Sequence, residues 1–242
     1  MFCRFKKAFD TIIHVGIKIK LLDIGVGSLF YNIIKQIYDI SKSCVKIQNQ
    51  ISDFFPLNVG VIKQGDNLSP SLFKIFVNDL PSYQSNTSDP VNVNGKDVHC
   101  LMYADDIILL SKSAKGLQEK LDILNTYCKD WYLTVNTSKT KILIFNKAGR
   151  LIKHSFRYGN EHIECVSNCK YLGIWFSSSG SYSYAQNELY KLKKDLLSLN
   201  PNIRTSMHVF DHNIKPILLY GSDIWGMFSP FTMKCKKRKP IF

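Results

Sequence analysis

The chain has 242 residues, of which 45% are hydrophobic, 12% aromatic and 21% charged, with a net charge of +13. This is apolar material for one large domain or two small ones, and it excludes a mostly disordered chain. No uncharged apolar run reaches roughly eighteen residues and Met1–Lys7 lacks a long apolar segment, which argues against a membrane span and a secretory signal. Seven irregularly spaced cysteines do not form a disulfide framework and fit a reducing intracellular compartment, nuclear or cytoplasmic.

Taken in order, Phe5 to Phe9 and Thr11 to His14 read as a strand ending in a turn at Asp10. Residues 16–40 carry apolar positions at helical spacing interrupted by Gly25 and Gly27, which predicts two helices joined by a turn. Residues 43–48 alternate apolar and polar, as a half-buried strand does. After the polar Lys63–Ser69 segment, Pro70 opens an apolar-periodic helix running to Leu80. Residues 82–98 read as a polar loop whose Asn94-Gly95 pair turns a hairpin. Two apolar strands follow, 99–103 and 107–111, then a capped helix over 114–130 and a turn and strand over 133–145. Short strands are expected over 155–176, a basic amphipathic helix over 184–199, and a helical stretch over 206–226 broken by Pro216 and Gly221. The closing Lys234, Lys236, Lys237, Arg238 and Lys239 read as a solvated block.

Charge is unevenly spread. Residues 1–110 hold 11 basic and 10 acidic side chains, a balance of +1, whereas 111–242 hold 21 and 9, a balance of +12. Such a basic half suits either a polyanion partner or a solubilising surface. Between the two central strands stands Tyr103-Ala104-Asp105-Asp106. Adjacent carboxylates repel, and burial disfavours both, so a bound divalent cation is one way to hold them together. Two such ions flanking a phosphoryl centre stabilise the attacking and the leaving oxygen.

These residues carry a resemblance. Phe5-Lys6-Lys7-Ala8-Phe9-Asp10, Lys63 through Phe73, Tyr103-Ala104-Asp105-Asp106, Trp131 through Lys141, Tyr171-Leu172-Gly173-Ile174 and Leu219 through Trp225 resemble, in order, motifs of the reverse transcriptase domain of non-LTR (LINE-type) retrotransposons. The resemblance implies an α+β polymerase palm, an antiparallel sheet with helices on one face. It implies partial palm over 1–150, primer-grip-like hairpins over 151–178, a helical thumb-like region over 179–232 and a basic tail over 233–242. It further implies RNA-directed DNA synthesis with Mg²⁺ at Asp105 and Asp106, Asp105 being the stronger candidate ligand. The substrates implied are deoxynucleoside triphosphates and an RNA template with a DNA primer, or an RNA–DNA hybrid.

Residue by residue, Phe9 corresponds to the bulky side chain that closes off the sugar 2′ position, or else is a core Phe. Gln64 and Gly65 fit a loop that approaches the incoming nucleotide, where glycine permits close backbone contact. Lys139 corresponds to a cation for the leaving pyrophosphate, or else is a solvated lysine. Tyr171, Leu172 and Gly173 correspond to the primer grip. Lys191, Lys193 and Lys194 are candidate phosphate contacts.

The pattern breaks at one position. The family's first motif opens with Asp, and here that position is Arg4, so a third carboxylate is replaced by a cation. At roughly 4 Å and an effective dielectric near 20, each unit-charge interaction is worth about 4 kcal/mol, so most Mg²⁺ affinity is expected to be lost. Asp10, six residues on, lies roughly 20 Å away at strand rise and is not a substitute. With the first motif so close to Met1, the fingers are expected to be missing, together with endonuclease and zinc-knuckle regions. The expected outcome is an inactive domain; the alternatives are a non-catalytic nucleic-acid-binding remnant or a pseudogene fragment.

Overall fold

A computed structural model describes residues 1–60, 66–87 and 89–180. Strand β1 (Phe2–Arg4) leads into helices α1 (His14–Asp23) and α2 (Ser28–Asp39). Four two-residue strands follow: β2 (Lys42–Ser43), β3 (Lys46–Ile47), β4 (Gln50–Ile51) and β5 (Phe55–Pro56). Helices α3 (Leu68–Phe76) and α4 (Leu80–Ser85) precede the hairpin of β6 (Val91–Val93) and β7 (Lys96–Val98). The hairpin of β8 (Cys100–Tyr103) and β9 (Asp106–Leu109) leads to helix α5 (Ala114–Asp130) and β10 (Lys141–Leu143). The described chain closes with β11 (Phe156–Tyr158), β12 (Glu161–Val166), β13 (Asn168–Tyr171) and β14 (Ile174–Ser177). The architecture is a mixed α and β fold around a six-stranded sheet of order β11-β12-β10-β1-β9-β8. No helix among the described residues is long and apolar enough to cross a membrane.

The centre of that sheet fixes two faces. β1 pairs antiparallel with β9, Cys3 opposite Ile107 and Arg4 opposite Asp106, while β8 pairs with β9 so that Tyr103 also faces Asp106. Because side chains alternate along a strand, Cys3, Ile107 and Leu109 share one face, and Arg4, Asp106 and Tyr103 share the other. The first face is apolar and closed, with Ile107 and Leu109 at 0% exposure. Helix α5 lies over it: Cys128 on α5 neighbours Cys3, and burial pushes both thiols up to about 12. Leu117, Leu121 and Leu124, at spacings of three and four, form the buried stripe of α5.

The start of α5 shows how local chemistry sets a helix. The Ser113 hydroxyl accepts from Gly116 N at 3.0 Å, a side-chain cap on an otherwise orphan donor. Asp89 then accepts from Ser111 Oγ at 2.5 Å, from Ser113 N and Ser113 Oγ at 2.8 Å each, and from Lys112 N at 3.1 Å. A Cβ at position 116 would meet Asp89 Oδ2 at 2.3 Å, so only glycine admits the carboxylate here. Lys120, one turn on, is fully buried and donates to the carbonyls of Leu110 at 2.8 Å and Asp89 at 3.1 Å; burial lowers its pKa.

Several expectations shift. The first strand is Phe2–Arg4 rather than Phe5–Phe9, since Lys7 adopts φ 48° and Asp10 N donates to Lys7 O at 2.9 Å, closing a turn. Phe5, Ala8 and Phe9 sit at turn spacing, not strand alternation, and Phe5 keeps only an isolated bridge to Val135. The strand expected over 43–48 divides between two small hairpins that leave Val45 and Ile47 exposed. Helix α3 starts at Leu68, whose amide donates to Asp66 Oδ1 at 3.1 Å, and ends at Phe76. Pro81 at the next helix start cannot donate an amide, and its ring disfavours helical backbone just before it, so a second helix begins. That helix takes up the first part of the predicted 82–98 loop; the Asn94-Gly95 turn falls where expected. The two helices over 16–40 and the one over 114–130 also fall where expected.

The described chain divides into two compact units, one of Met1–Ile142 with Ile152–Cys165, the other containing Leu143–Leu151 and residues 166–180. The second is a β13–β14 hairpin steadied by Asn146, whose amide donates to Ser178 O at 2.9 Å, and by Ser178 Oγ, which donates to Gly149 O at 2.7 Å.

Candidate active site

The carboxylate pair lies at the tip of the β8–β9 hairpin on the sheet's open face. Ala104 and Asp105 form the turn, Ala104 at φ 51°, and Asp106 is the first residue of β9. The left-handed backbone at an alanine carries a steric cost that a glycine would not. Asp106 is therefore strand rather than turn, directly across from Arg4 in the ladder. Opposite residues of an antiparallel pair hold their Cβ atoms about 5 Å apart, close enough for the long arginine to fold onto the carboxylate.

Contact follows from that register. Arg4 Nε donates to Asp106 Oδ1 at 2.6 Å and Nη2 to Asp106 Oδ2 at 2.9 Å, a two-pronged pairing of planar groups. Arg4 Nε also lies 3.6 Å from Asp105 Oδ2. The Asp106 side chain is 10% exposed against 30% for Asp105 and 47% for Arg4. One guanidinium thus serves both acids, chiefly the buried one. Expectation favoured Asp105 as ligand; in the structure Asp106 is the more enclosed and more firmly held.

Backbone bonds fix this strand from both sides. Asn136 N donates to Arg4 O at 2.8 Å, Lys6 N to Thr134 O at 2.7 Å, and Phe5 N to Asp105 O at 3.4 Å. The Asn136 side chain accepts from Ser138 Oγ at 2.7 Å and Lys139 N at 3.2 Å, and Thr140 Oγ1 donates to Asn136 O at 2.8 Å. This compact turn carries Lys139 exposed to solvent, just after the residue bonded to Arg4's carbonyl. Asn136 thus joins the fourth sequence motif to the first.

Phe9 is half-buried on the turn after β1, its ring centroid 4.9 Å from that of Phe73 on α3. Phe73 is fully buried and also meets Phe5 edge-on at 6.3 Å. The first and second motifs therefore touch through this aromatic pair. Trp131, which opens the fourth motif, packs on buried Lys20, whose ammonium is 3.5 Å from the ring centroid and paired with Asp79. Tyr127 Oη donates to the same Asp79 at 2.8 Å. Tyr103, Asn136 and Phe73 belong to the motifs quoted above; the structure adds their contacts, Tyr103 through the strand register, Asn136 through its bond to Arg4 O and Phe73 through its ring.

In the second unit, Tyr171 and Ile174 close the β13–β14 ladder across a two-residue turn, Leu172 at φ 46° and Gly173 at φ 80°. Both central residues are left-handed, as in the tight hairpin turns that favour Asn-Gly. Gln64 and Gly65 lie outside the described residues, as do Lys191, Lys193 and Lys194.

The donor set does not suit a divalent cation. Both oxygens of Asp106 are engaged by Arg4, and an ion there would face a permanent positive charge at hydrogen-bond range. Among the described residues no group of three or more His, Cys, Asp or Glu side chains converges to hold a metal.

Residues 1–176 match the family described as reverse transcriptase (RNA-dependent DNA polymerase), and the chain belongs to that family. It is similar to a probable RNA-directed DNA polymerase from transposon BS of Drosophila melanogaster, 29% identical over 94% of this chain and 26% of the relative. It is also similar to the RNA-directed DNA polymerase from mobile element jockey of the same organism, 27% identical over 93% of the chain and 26% of the relative. A Pol polyprotein from the type-1 retrotransposable element R2 of Popillia japonica is 25% identical over 96% of the chain and 39% of the relative. The chain spans about a quarter of the length of the first two relatives.

Proposed function

We propose that the chain is the palm of a non-LTR retrotransposon reverse transcriptase that engages template and primer without extending them. In the family, divalent ions supply the charge stabilisation of nucleotidyl transfer; here that pair of acids is committed to Arg4. The observation that carries the reading is the two-pronged Arg4–Asp106 contact at the position where the family's first motif bears an acid. On this reading Asp105, Asp106 and Lys139 mark the reaction centre. Phe9, Gln64 and Gly65 mark the nucleotide side, and Tyr171, Leu172 and Gly173 the primer side. The thumb-like region read over 179–232 lies, beyond residue 180, outside the described residues, and the chain works inside the cell.

Binding rests on charge. The balance of +12 over residues 111–242 supplies phosphate contacts, with Lys191, Lys193, Lys194 and the block at 234–239 as candidates. Neutralised phosphates release counterions, so log affinity falls linearly with log salt at about −0.7 to −0.9 per contact. With roughly five contacts, binding of a fluorescent RNA–DNA hybrid weakens by more than about tenfold between about 50 and 200 mM salt. Salt-independent anisotropy, or binding that survives replacing these lysines by serine, would overturn the reading.

A further inference from the structure

We infer that Arg4 is a built-in cation that replaces a metal ion in balancing the Asp105–Asp106 pair, and that this one side chain keeps the site from taking a divalent ion. The inference rests on the reading above in treating this hairpin as the family's metal-binding position. It deepens that reading by making divalent-ion binding reversible through position 4 alone.

Three observations converge on it. Register places Arg4 opposite Asp106 on one sheet face, so the contact is set by the backbone ladder and not by a chance surface rotamer. The fixed charge sits on the acids: both Asp106 oxygens accept from the guanidinium, at 2.6 and 2.9 Å, and Asp105 Oδ2 lies 3.6 Å from Nε. A small dication seeks carboxylate oxygens at about 2.0–2.1 Å, and bound there it would be repelled by the guanidinium at ion-pair range. Finally, β1 is held on both edges, by Asn136 N to Arg4 O at 2.8 Å and by the ladder to β9, which keeps the Arg4 backbone opposite Asp106. Guanidinium keeps its charge at every pH in ordinary use, so the exclusion does not switch off with pH.

Local charge quantifies the consequence. Arg4 with Asp105 and Asp106 sums to −1, alanine at position 4 gives −2, and aspartate gives −3. Divalent-ion affinity is therefore ordered Arg4→Asp over Arg4→Ala over the natural chain, each step worth at least about tenfold. It follows that the natural chain needs no metal to hold this hairpin, whereas the Arg4→Asp chain does.

The test is Mn²⁺ titration of the 242-residue chain without nucleic acid, following free Mn²⁺ by electron paramagnetic resonance and thermal unfolding in parallel. The natural chain should show no Mn²⁺ site sensitive to Asp106→Asn, and a Tm indifferent to Mn²⁺. Arg4→Asp should gain one site per chain, lose it again when combined with Asp106→Asn, and melt higher as Mn²⁺ rises. Should Arg4→Asp fail to fold even with Mn²⁺, Arg4→Ala decides: an Asp106-dependent Mn²⁺ site tighter than any in the natural chain supports the inference. An Asp106-dependent Mn²⁺ site in the natural chain would overturn it, as would both position-4 variants binding Mn²⁺ no better than the natural chain. Failure of hybrid binding leaves these outcomes untouched, so the two readings fail separately.

Discussion

At the hairpin end of strands β1 and β9, the side chains turned toward α5 and those turned away from it differ in kind, although further along the second face Phe2 is buried as well. Toward the helix lie Cys3, Ile107 and Leu109, all buried; away from it lie Arg4, Asp106 and, across the hairpin, Tyr103, which is 66% exposed. The helix-covered face draws its stability from apolar area removed from water, which is additive and indifferent to salt. The open face carries acids that must be neutralised locally, and there a single side chain decides between a metal and an internal ion pair. A substitution such as the one at position 4 therefore alters chemistry on one face with little effect on the packing of the other.

The largest effect that sharpens this contrast is on the covered face. Ile107→Ala removes a fully buried side chain and should cost about 3 kcal/mol in urea unfolding, through lost transfer free energy and the cavity left behind. Next comes the helix start that serves this face. Asp89→Ala strands the amides and hydroxyls of residues 111–113 and should cost about 2 kcal/mol.

Asp89 also predicts a pH dependence. Hydrogen bonds from Ser111 and then Ser113 hold its carboxyl well below its ordinary 3.8, at about 2. Since the folded pKa lies below the unfolded one, the stabilisation is complete above about pH 4 and is lost as pH falls from about 4 to about 2. Asp89→Asn should flatten that part of the stability–pH curve.

Effects on the open face are smaller. Arg4→Ala should cost only about 1–2 kcal/mol, because Arg4 is half exposed and the loss is mainly that of leaving Asp106 unpaired. A loss equal to that of Ile107→Ala would break the contrast. Smallest of all, Ala104→Gly and Leu172→Gly relieve left-handed backbone at two hairpin turns and should each stabilise by roughly 0.5–1 kcal/mol, offset in part by glycine's greater unfolded-state freedom.

How far the sequence foretold these features depends on how local the signal is. Helix α5 was legible because Ser113 caps it and Leu117, Leu121 and Leu124 repeat at helical spacing. The Asn94-Gly95 turn was legible because the pair fits only a few turn types. β1 was misplaced because Phe5, Ala8 and Phe9 are apolar at spacings common to strands and turns, and only the positive φ of Lys7 separates the two. The charge conflict at Arg4 could be read from the resemblance of the first motif, which opens with an acid in the family. Its resolution by a two-pronged contact to Asp106 rather than Asp105 could not, because that depends on a ladder register linking residues 102 positions apart.

The most direct measurement is primer extension by the full chain, on a DNA primer annealed to an RNA template, with all four deoxynucleotides and either Mg²⁺ or Mn²⁺. With Asp106 held by Arg4, no nucleotide should be added with either ion, even where hybrid binding is measurable. Extension by the natural chain that disappears in Asp105→Ala would contradict it.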